Sequence, residues 1–215
     1  MDKLAATYRG IPLLHHAISG LGEVCAEVIV VLAPDVPEPT IPVGPKVRFV
    51  RDARQGEGPL AGVQAGLEAI STDLALVTGG DMPELSTGVL LEMLRVAVED
   101  GVDGVALQDG DRFRPLPSLL RVATAGGVTH ALLQSGERSL RALLQALGVT
   151  VIDESTWVAL DPARGSLYDV DEPGDLAVEV PAADVRSRRH GIGSEPKSGE
   201  ASPPAHHIPP ERTEP

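Results

Sequence analysis

The sequence predicts an α/β fold in which a mostly parallel sheet forms the middle of three layers, with helices on both faces. Two observations support this prediction. Short runs of Val, Ile and Leu, typical of strands buried on both faces, alternate with longer segments whose apolar residues are spaced three and four apart, as in amphipathic helices. With 215 residues, of which 42% are apolar, the chain has enough material for one such domain.

The predicted strands are short and rich in β-branched residues. They are Glu27 to Leu32, Lys46 to Val50, Leu74 to Val77, Gly104 to Leu107 and Val149 to Ile152. The predicted helices lie between them and are Pro12 to Leu21, Gly62 to Ile70, Val89 to Val98 and Leu140 to Leu147. Ser139 precedes the last helix and is expected to be its N-cap. Alternation of strand and helix favours parallel strands joined by right-handed crossovers.

Composition excludes several classes of function. The chain has a formal net charge of −13 and only two Phe, two Tyr and one Trp, so it lacks both the positive surface and the stacking side chains that nucleic acids require. No apolar run approaches the length of about 20 residues that spans a bilayer. The single cysteine, Cys25, excludes an internal disulfide, so we expect a reducing, cytoplasmic location.

The composition changes after Val185. Residues 186–215 are rich in Pro, Ser, Gly and Glu and nearly free of branched apolar residues. They hold five basic and four acidic residues, which leaves a net charge of −14 for residues 1–185. We expect a folded domain over residues 1–185 and a disordered tail over residues 186–215.

Asp81 is the first candidate site residue. It follows the predicted strand that ends at Val77, within the segment Gly79-Gly80-Asp81-Met82-Pro83. Ligands of parallel sheets bind at the carboxyl ends of the strands, and the glycines allow a ligand to approach the backbone. A carboxylate there suits a metal ion or a hydroxyl group. The alternative is an Asx turn that only leads into the next helix.

Two further segments are expected near Asp81. Asp52 follows the strand that ends at Val50, and parallel strands would place it at the same sheet edge as Asp81. Gly58, Pro59, Leu60, Ala61 and Gly62 then form a turn at the start of a helix. The unpaired amides at a helix N-terminus suit an anion or the polar edge of a base, although such a turn is also common as a purely structural feature.

These segments resemble, in their order and spacing, the molybdenum cofactor guanylyltransferase family. The resemblance rests on Lys3, Gly10 to Leu14, Asp52, Gly58 to Gly62 and Gly80 to Pro83. Later segments look like further landmarks of the family, namely Asp109 to Arg112, Arg114 to Leu116, Gln134 to Ser139 and Tyr168 to Leu176. The resemblance covers residues 1 to about 180 and implies a Rossmann-like nucleotidyltransferase sheet.

The resemblance implies a magnesium-dependent transfer of GMP from GTP to molybdopterin, with release of pyrophosphate. Asp81 matches the family's metal ligand, Lys3 the lysine that neutralises the triphosphate, and Asp52 and the turn from Gly58 to Gly62 the nucleotide contacts. Taken alone, Lys3 is more simply a frayed terminal residue. The resemblance also implies transient contact with other proteins of molybdenum cofactor synthesis.

The chain departs from the family pattern in two places. The family begins with a strand and a glycine-rich loop, roughly Leu-Ala-Gly-Gly-x-Ser-x-Arg-Met-Gly, before the Asp-Lys pair, whereas this sequence starts at Met1-Asp2-Lys3. We therefore expect the domain to lack its first strand and loop, and to be inactive in this form. The strand end at Val30 to Ala33 also lacks a polar side chain for a base, which leaves base selectivity open.

Two alternatives remain open. One is a sister nucleotidyltransferase that uses CTP on the same pterin, or another nucleoside triphosphate on a sugar phosphate. The other is a catalytically inactive binding module with the same fold.

Overall fold

The computed structural model describes residues 6–52, 56 and 58–170. Lys3 and the predicted tail at 186–215 lie outside the described residues. The strands are β1 (Thr7–Tyr8), β2 (Ile11–Pro12), β3 (Val28–Leu32), β4 (Val47–Arg51), β5 (Leu74–Val77), β6 (Gly104–Asp109), β7 (Arg112–Arg121) and β8 (Thr150–Ile152). The helices are α1 (Leu13–Gly22), α2 (Pro59–Ala69), α3 (Thr87–Glu99), α4 (Val122–Gln134), α5 (Leu140–Leu147) and α6 (Glu154–Leu160), followed by a short 3-10 helix (Gly165–Leu167).

The described strands form two sheets besides the small β1–β2 hairpin. β3 pairs with β4 in parallel, and a four-stranded sheet has the order β5-β7-β6-β8. Within it β7 is antiparallel to both β5 and β6, while β6 and β8 are parallel. The sheet is therefore mixed, because the β6–β7 hairpin introduces antiparallel pairs that the sequence analysis did not include.

Helices cover both faces of the four-stranded sheet, which confirms the predicted α/β class and its three layers. Ala106 and Leu120 pack into an apolar cluster with residues of α2, α4 and α5. Their neighbours Val105 and Leu119 point to the opposite cluster, which contains residues of α3 and Trp157 of α6. Neighbouring strand residues point to opposite faces, so one strand contributes to two cores.

All five predicted strands and all four predicted helices are present. Ser139 caps α5 as expected, since its hydroxyl accepts hydrogen bonds from the backbone N–H groups of Arg141 at 3.2 Å and Ala142 at 3.4 Å. Helix α2 begins at Pro59, three residues before the predicted start, because proline fits the first helical turn, where its missing N–H is not needed.

The long strand β7 and helix α4 were not predicted. Pro115 and Pro117 interrupt the β7 sequence, and proline argues against a central strand. The structure accommodates them at a shift of register, since Ala106 pairs with Ser118 whereas Leu107 pairs with Arg114. The residues between Arg114 and Ser118 thus bulge out of the β6–β7 ladder. Among the described residues, no helix is long and apolar enough to cross a membrane.

Candidate active site

Asp81 lies in a compact loop that follows β5. Met82 is 3% exposed, and its sulfur accepts hydrogen bonds from Thr78 Oγ1 at 3.3 Å and Gly79 N at 3.4 Å. A Cβ atom on Gly79 would collide with Asp81 Oδ1, so glycine at this position lets the carboxylate fold over the loop. The local sequence therefore holds Asp81 at the end of β5 in a partly buried position, as predicted.

A second segment is fixed to this loop. The Asp81 carbonyl oxygen accepts a hydrogen bond from the backbone N–H of Val170 at 3.0 Å, and Val170 is 4% exposed. Val170 belongs to the segment Tyr168 to Leu176 that the sequence singled out, and residues 171–176 lie outside the described residues. The structure thus brings the start of this late landmark to the candidate metal ligand.

Asp52 continues the β3–β4 ladder, since its backbone N–H donates to the Leu32 carbonyl at 2.8 Å. The prediction that Asp52 and Asp81 lie at the same edge of one sheet is confirmed only in part. Both aspartates follow the carboxyl ends of their strands, but β4 and β5 belong to separate sheets with no hydrogen bond between them among the described residues.

The turn from Gly58 to Gly62 was expected to offer unpaired backbone amides, and the structure shows these amides paired. Pro59 has no N–H, Leu60 N donates to the Arg138 carbonyl at 3.4 Å, and Ala61 N donates to the Gly58 carbonyl at 3.2 Å. The expected unpaired amides of these residues are therefore engaged within the protein. Leu60 is 0% and Ala61 2% exposed, so both residues belong to the core, whereas Gly58 and Pro59 are exposed at the surface.

Gly58 is required by its conformation and by its neighbour. Its φ of 81° lies in the left-handed region, and a Cβ atom there would be 3.1 Å from Arg138 Cβ and 3.4 Å from the Arg138 carbonyl oxygen. Arg138 is held in place because Glu137 Oε1 accepts hydrogen bonds from the N–H groups of Arg138 at 2.7 Å and Ser139 at 2.9 Å. These two bonds lower the pKa of Glu137. The turn from Gly58 to Gly62 and the segment from Gln134 to Ser139, which the sequence analysis selected separately, are therefore in contact.

A buried tyrosine adjoins the Asp81 loop and was not predicted. Tyr8 donates its hydroxyl hydrogen bond to Glu84 Oε1 at 2.6 Å, and Arg9 forms an ion pair with the same oxygen at 2.7 Å. Burial, with the Glu84 hydrogen bond and charge as smaller contributions, raises the pKa of Tyr8 to about 12. The Arg9 guanidinium also lies 4.8 Å from the centroid of the Tyr8 ring. This group connects the β1–β2 hairpin to the segment after Asp81.

These residues line an open polar cavity of about 510 Å³. Besides Tyr8 and Glu84, its wall includes Arg9, Asp109, Arg114, Arg164 and Tyr168. Arg164 pairs with Glu154 at 2.5 Å and Asp109 at 3.1 Å. Arg9 and Arg164, with φ of 50° and 59°, are the non-glycine residues of the described chain with left-handed backbone, and strained backbone clusters at functional sites.

Sequence reasoning missed Arg9, Glu84 and Arg164. The only local signal is that each of the two arginines precedes a glycine, which is too common to select them. They meet because the fold joins distant parts of the chain, with Tyr8 and Glu84 separated by 76 positions.

The Asp81 carboxylate is the oxygen donor that this loop would offer to a metal ion. The described residues contain no group of three or more His, Cys, Asp or Glu side chains that would hold a metal by themselves. Mg²⁺ characteristically takes one or two carboxylates, with substrate phosphates and water as the remaining ligands. A single carboxylate in this loop therefore fits Mg²⁺ that arrives with a nucleotide.

The comparison that decides the family is a match of the model for the "MobA-like NTP transferase domain" to residues 1–151. The chain belongs to this family. A relative from Chloroflexus aggregans named "Probable molybdenum cofactor guanylyltransferase" is 30% identical over 169 residues, which cover 78% of this chain and 79% of the relative. The suspected resemblance is thereby confirmed, and the family is one of nucleotidyltransferases.

Solved structures support the fold. The molybdopterin-guanine dinucleotide biosynthesis protein A of Archaeoglobus fulgidus matches with a TM-score of 0.65 and 18% identity, over 82% of this chain and 87% of that one. The 2-C-methyl-D-erythritol 4-phosphate cytidylyltransferase of Thermus thermophilus matches with a TM-score of 0.59 and 22% identity, over 81% and 90%. Since proteins named for different nucleotides share this fold, the fold itself does not select the base.

Proposed function

We propose that this protein is a magnesium-dependent guanylyltransferase that transfers GMP from GTP to molybdopterin. A phosphate oxygen of molybdopterin attacks the α-phosphorus of GTP, the bond from that phosphorus to the bridging oxygen breaks, and pyrophosphate leaves. The observation that carries the proposal is the position of Asp81, the carboxylate in the loop after β5, in a chain of the MobA-like family.

The assigned residues have separate tasks. Asp81 would hold Mg²⁺ together with phosphate oxygens, and the bound ion would neutralise charge that develops on the phosphates. Lys3 would add a second positive charge, and Asp52 would contact the nucleotide. In-line transfer needs charge neutralisation and alignment of the reactants and no covalent nucleophile from the protein.

The turn from Gly58 to Gly62 is proposed to pack against the nucleotide through its backbone. The side chains of Leu60 and Ala61 face the core, and the amides of both residues are already paired. Carbonyl oxygens accept more than one hydrogen bond, so the donors N1–H and N2 of guanine have partners in such a turn, whereas cytosine lacks this pair of adjacent donors. The contact between Gly58 and Arg138 would keep the turn rigid.

We place the acceptor in the polar cavity beside the Asp81 loop. Arg9, Arg114 and Arg164 offer guanidinium groups that suit a phosphate, and the partly exposed Tyr168 offers a ring surface that suits a flat pterin. In the free protein these arginines are paired with carboxylates such as Glu84 and Asp109. An arriving phosphate would therefore compete with, and rearrange, existing ion pairs.

A sister cytidylyltransferase is the second candidate, and the observation that favours it is the likeness of the fold to the Thermus thermophilus enzyme. The strand end at Val30 to Ala33 also offers no polar side chain to distinguish the bases. A catalytically inactive binding module of the same fold would bind nucleotide without transfer. The two enzymes would form different dinucleotide products, and the inactive module would form none.

The test compares two forms of the protein, the 215-residue chain and the same chain with a glycine-rich strand and loop of the family type added before Asp2. Each is incubated with GTP or CTP, Mg²⁺ and molybdopterin, and both pyrophosphate and the dinucleotide product are measured. We expect transfer with GTP in the extended form and little in the shorter one. Transfer with CTP alone would establish the sister reaction, and binding without product in both forms would establish the inactive module.

A further inference from the structure

The three arginines that line the polar cavity differ in how firmly each is held. Arg9 Nη2 lies 2.7 Å from Glu84 Oε1. Arg164 makes two contacts of this kind, with Glu154 at 2.5 Å and with Asp109 at 3.1 Å. Distances in this range are those of charge-assisted hydrogen bonds, which are the stronger ones in proteins. The guanidinium groups of Arg9 and Arg164 are therefore already engaged by carboxylates.

Arg114 is held less firmly than the other two. Its guanidinium nitrogens lie 3.8 Å from Asp109 Oδ2 and 3.6 Å from Asp169 Oδ1, beyond the usual hydrogen-bond length of about 2.7–3.2 Å. Its Nη2 also donates a long hydrogen bond of 3.4 Å to the Leu167 carbonyl. Asp169 has no other hydrogen-bond or ion-pair partner among the described residues. Both groups of this loose pair can therefore take a better partner at little cost.

Aromatic rings separate the three arginines in the same way. The guanidinium of Arg9 lies 4.8 Å from the centroid of the Tyr8 ring, and that of Arg164 lies 4.9 Å from the centroid of Trp157. Both rings are buried and so fix the planes of these two groups. No described aromatic ring lies against the guanidinium of Arg114, whose side chain is 37% exposed. Arg114 is thus the arginine of the cavity that is open to a ligand.

The loose pair is tied to the candidate metal ligand through the backbone. Asp169 directly precedes Val170, whose N–H donates to the Asp81 carbonyl at 3.0 Å. Consecutive Cα atoms are about 3.8 Å apart, so one peptide unit separates Asp169 from the residue that is fixed to the Asp81 loop. A ligand that replaces Asp169 on the Arg114 guanidinium therefore binds next to the segment that carries this loop.

We propose that Arg114 binds the phosphate monoester of the acceptor, and that Asp169 holds the guanidinium in the cavity until the phosphate arrives. The phosphate then replaces Asp169 and accepts two parallel N–H···O bonds from the planar guanidinium. Arg9 and Arg164 stay bound to their carboxylates and neutralise them, so that these carboxylates do not repel the ligand. This inference rests on the proposed function, because it names the residue that receives the acceptor.

The nucleotide is a second source of phosphate groups, and the surroundings of Arg114 favour the acceptor. A phosphate monoester carries a charge of about −1.5 to −2 near neutral pH, which a guanidinium can bind without a metal ion. The triphosphate is instead proposed to arrive with Mg²⁺ at Asp81. Tyr168 lines the same cavity and directly precedes Asp169, so contacts for a flat ring and for its phosphate come from neighbouring residues.

The first test measures binding of phenyl phosphate, a monoester with an aromatic ring, to the 215-residue chain by NMR titration with a metal chelator present. Arg114→Gln should raise the Kd by about tenfold or more, because it removes charge-assisted hydrogen bonds. Arg114→Lys keeps the charge without the planar fork and should lie between the two. Arg112→Gln is the matched control, since Arg112 is an exposed arginine of the same strand outside the cavity wall, and it should change the Kd by less than about twofold.

Removing the competing carboxylate should have the opposite effect. Asp169→Asn abolishes the negative charge that the phosphate must displace, so it should lower the Kd for phenyl phosphate by about threefold or more. Asp111→Asn, which removes a charge from an exposed aspartate outside the cavity wall, should leave the Kd unchanged. A purely structural role of the pair predicts instead that Arg114→Gln and Asp169→Asn weaken binding alike, because each breaks the same contact.

The second test uses the form with the added glycine-rich loop and separates this inference from the proposed function. Arg114→Gln should raise the KM for molybdopterin by about tenfold or more and leave the affinity for GTP with Mg²⁺ within about twofold. Phenyl phosphate binding that depends on Arg114, in a protein that transfers no GMP, would support the phosphate site and reject the proposed function. The inference is overturned if wild-type protein does not bind millimolar phenyl phosphate, if Arg114→Gln binds it equally well, if Asp169→Asn weakens binding, or if Arg114→Gln loses as much affinity for GTP as for the monoester.

Discussion

Replacing Asp81 by asparagine should abolish transfer and leave the fold intact. Among the described residues the Asp81 carboxylate has no hydrogen-bond or ion-pair partner, and its backbone bond to Val170 survives the change. Asparagine has nearly the same shape, so its amide occupies the space over Gly79 without a new clash. The free energy of unfolding should therefore change by no more than about 0.5 kcal/mol.

The expected loss of activity is much larger than the change in stability. If Asp81 is the metal's main protein ligand, its loss should lower kcat/KM by about 100-fold or more, which corresponds to about 2.7 kcal/mol. The assay measures pyrophosphate release from GTP at several Mg²⁺ concentrations in the form that carries the added glycine-rich loop. In calorimetry, Mg²⁺ should increase the affinity of the wild-type protein for GTP and should have little effect on the affinity of the variant.

Asp73→Asn is the matched control, because Asp73 lies at the opposite end of the same strand, exposed to solvent, and loses the same charge. It should retain wild-type activity and stability. If Asp81→Asn keeps more than about a tenth of the activity, a loss below about 1.4 kcal/mol, Asp81 is not the metal ligand. If it unfolds the protein while Asp73→Asn does not, Asp81 has a structural role in its turn.

Three further predictions concern the turn, the buried tyrosine and the base. Gly58→Ala should lower the free energy of unfolding by about 1–2 kcal/mol, because φ is 81° and Arg138 is close, whereas Gly127→Ala on an open helix face should not destabilise the protein in the same thermal melts. Tyr8→Phe should cost about 1–3 kcal/mol at neutral pH through the lost bond to Glu84. The raised pKa of Tyr8 also means that wild-type stability should fall as the pH rises from 10 toward about 12, since the unfolded tyrosine loses its proton first, and denaturant titrations of Tyr8→Phe should lack this fall. Finally, GTP should exceed CTP in kcat/KM by more than about tenfold, and a smaller ratio would reject the guanine assignment.

Much of the fold was predictable because its signals are local. The strand at Leu74 to Val77 is a short apolar run, and the helix from Leu140 has a serine cap and an amphipathic pattern, so neighbouring residues suffice to specify each. The order of short motifs was equally informative, because it indicated the family before any contact was known. Asp81 could be singled out for the same reason, as a carboxylate directly after a buried strand.

Tertiary structure decided the features that depend on distant partners. Pro115 and Pro117 concealed β7, and only the register shift opposite Ala106 and Leu107 shows how a central strand accepts them. The sequence indicated free amides at the start of α2, yet Arg138, from a remote loop, pairs with one of them. The meeting of Tyr8, Glu84 and Arg9 likewise has no signature along the chain, because packing alone determines which distant residues become neighbours. Sequence patterns report what a segment forms, whereas the pairing of segments is fixed by backbone groups and side chains that must find partners across the folded domain.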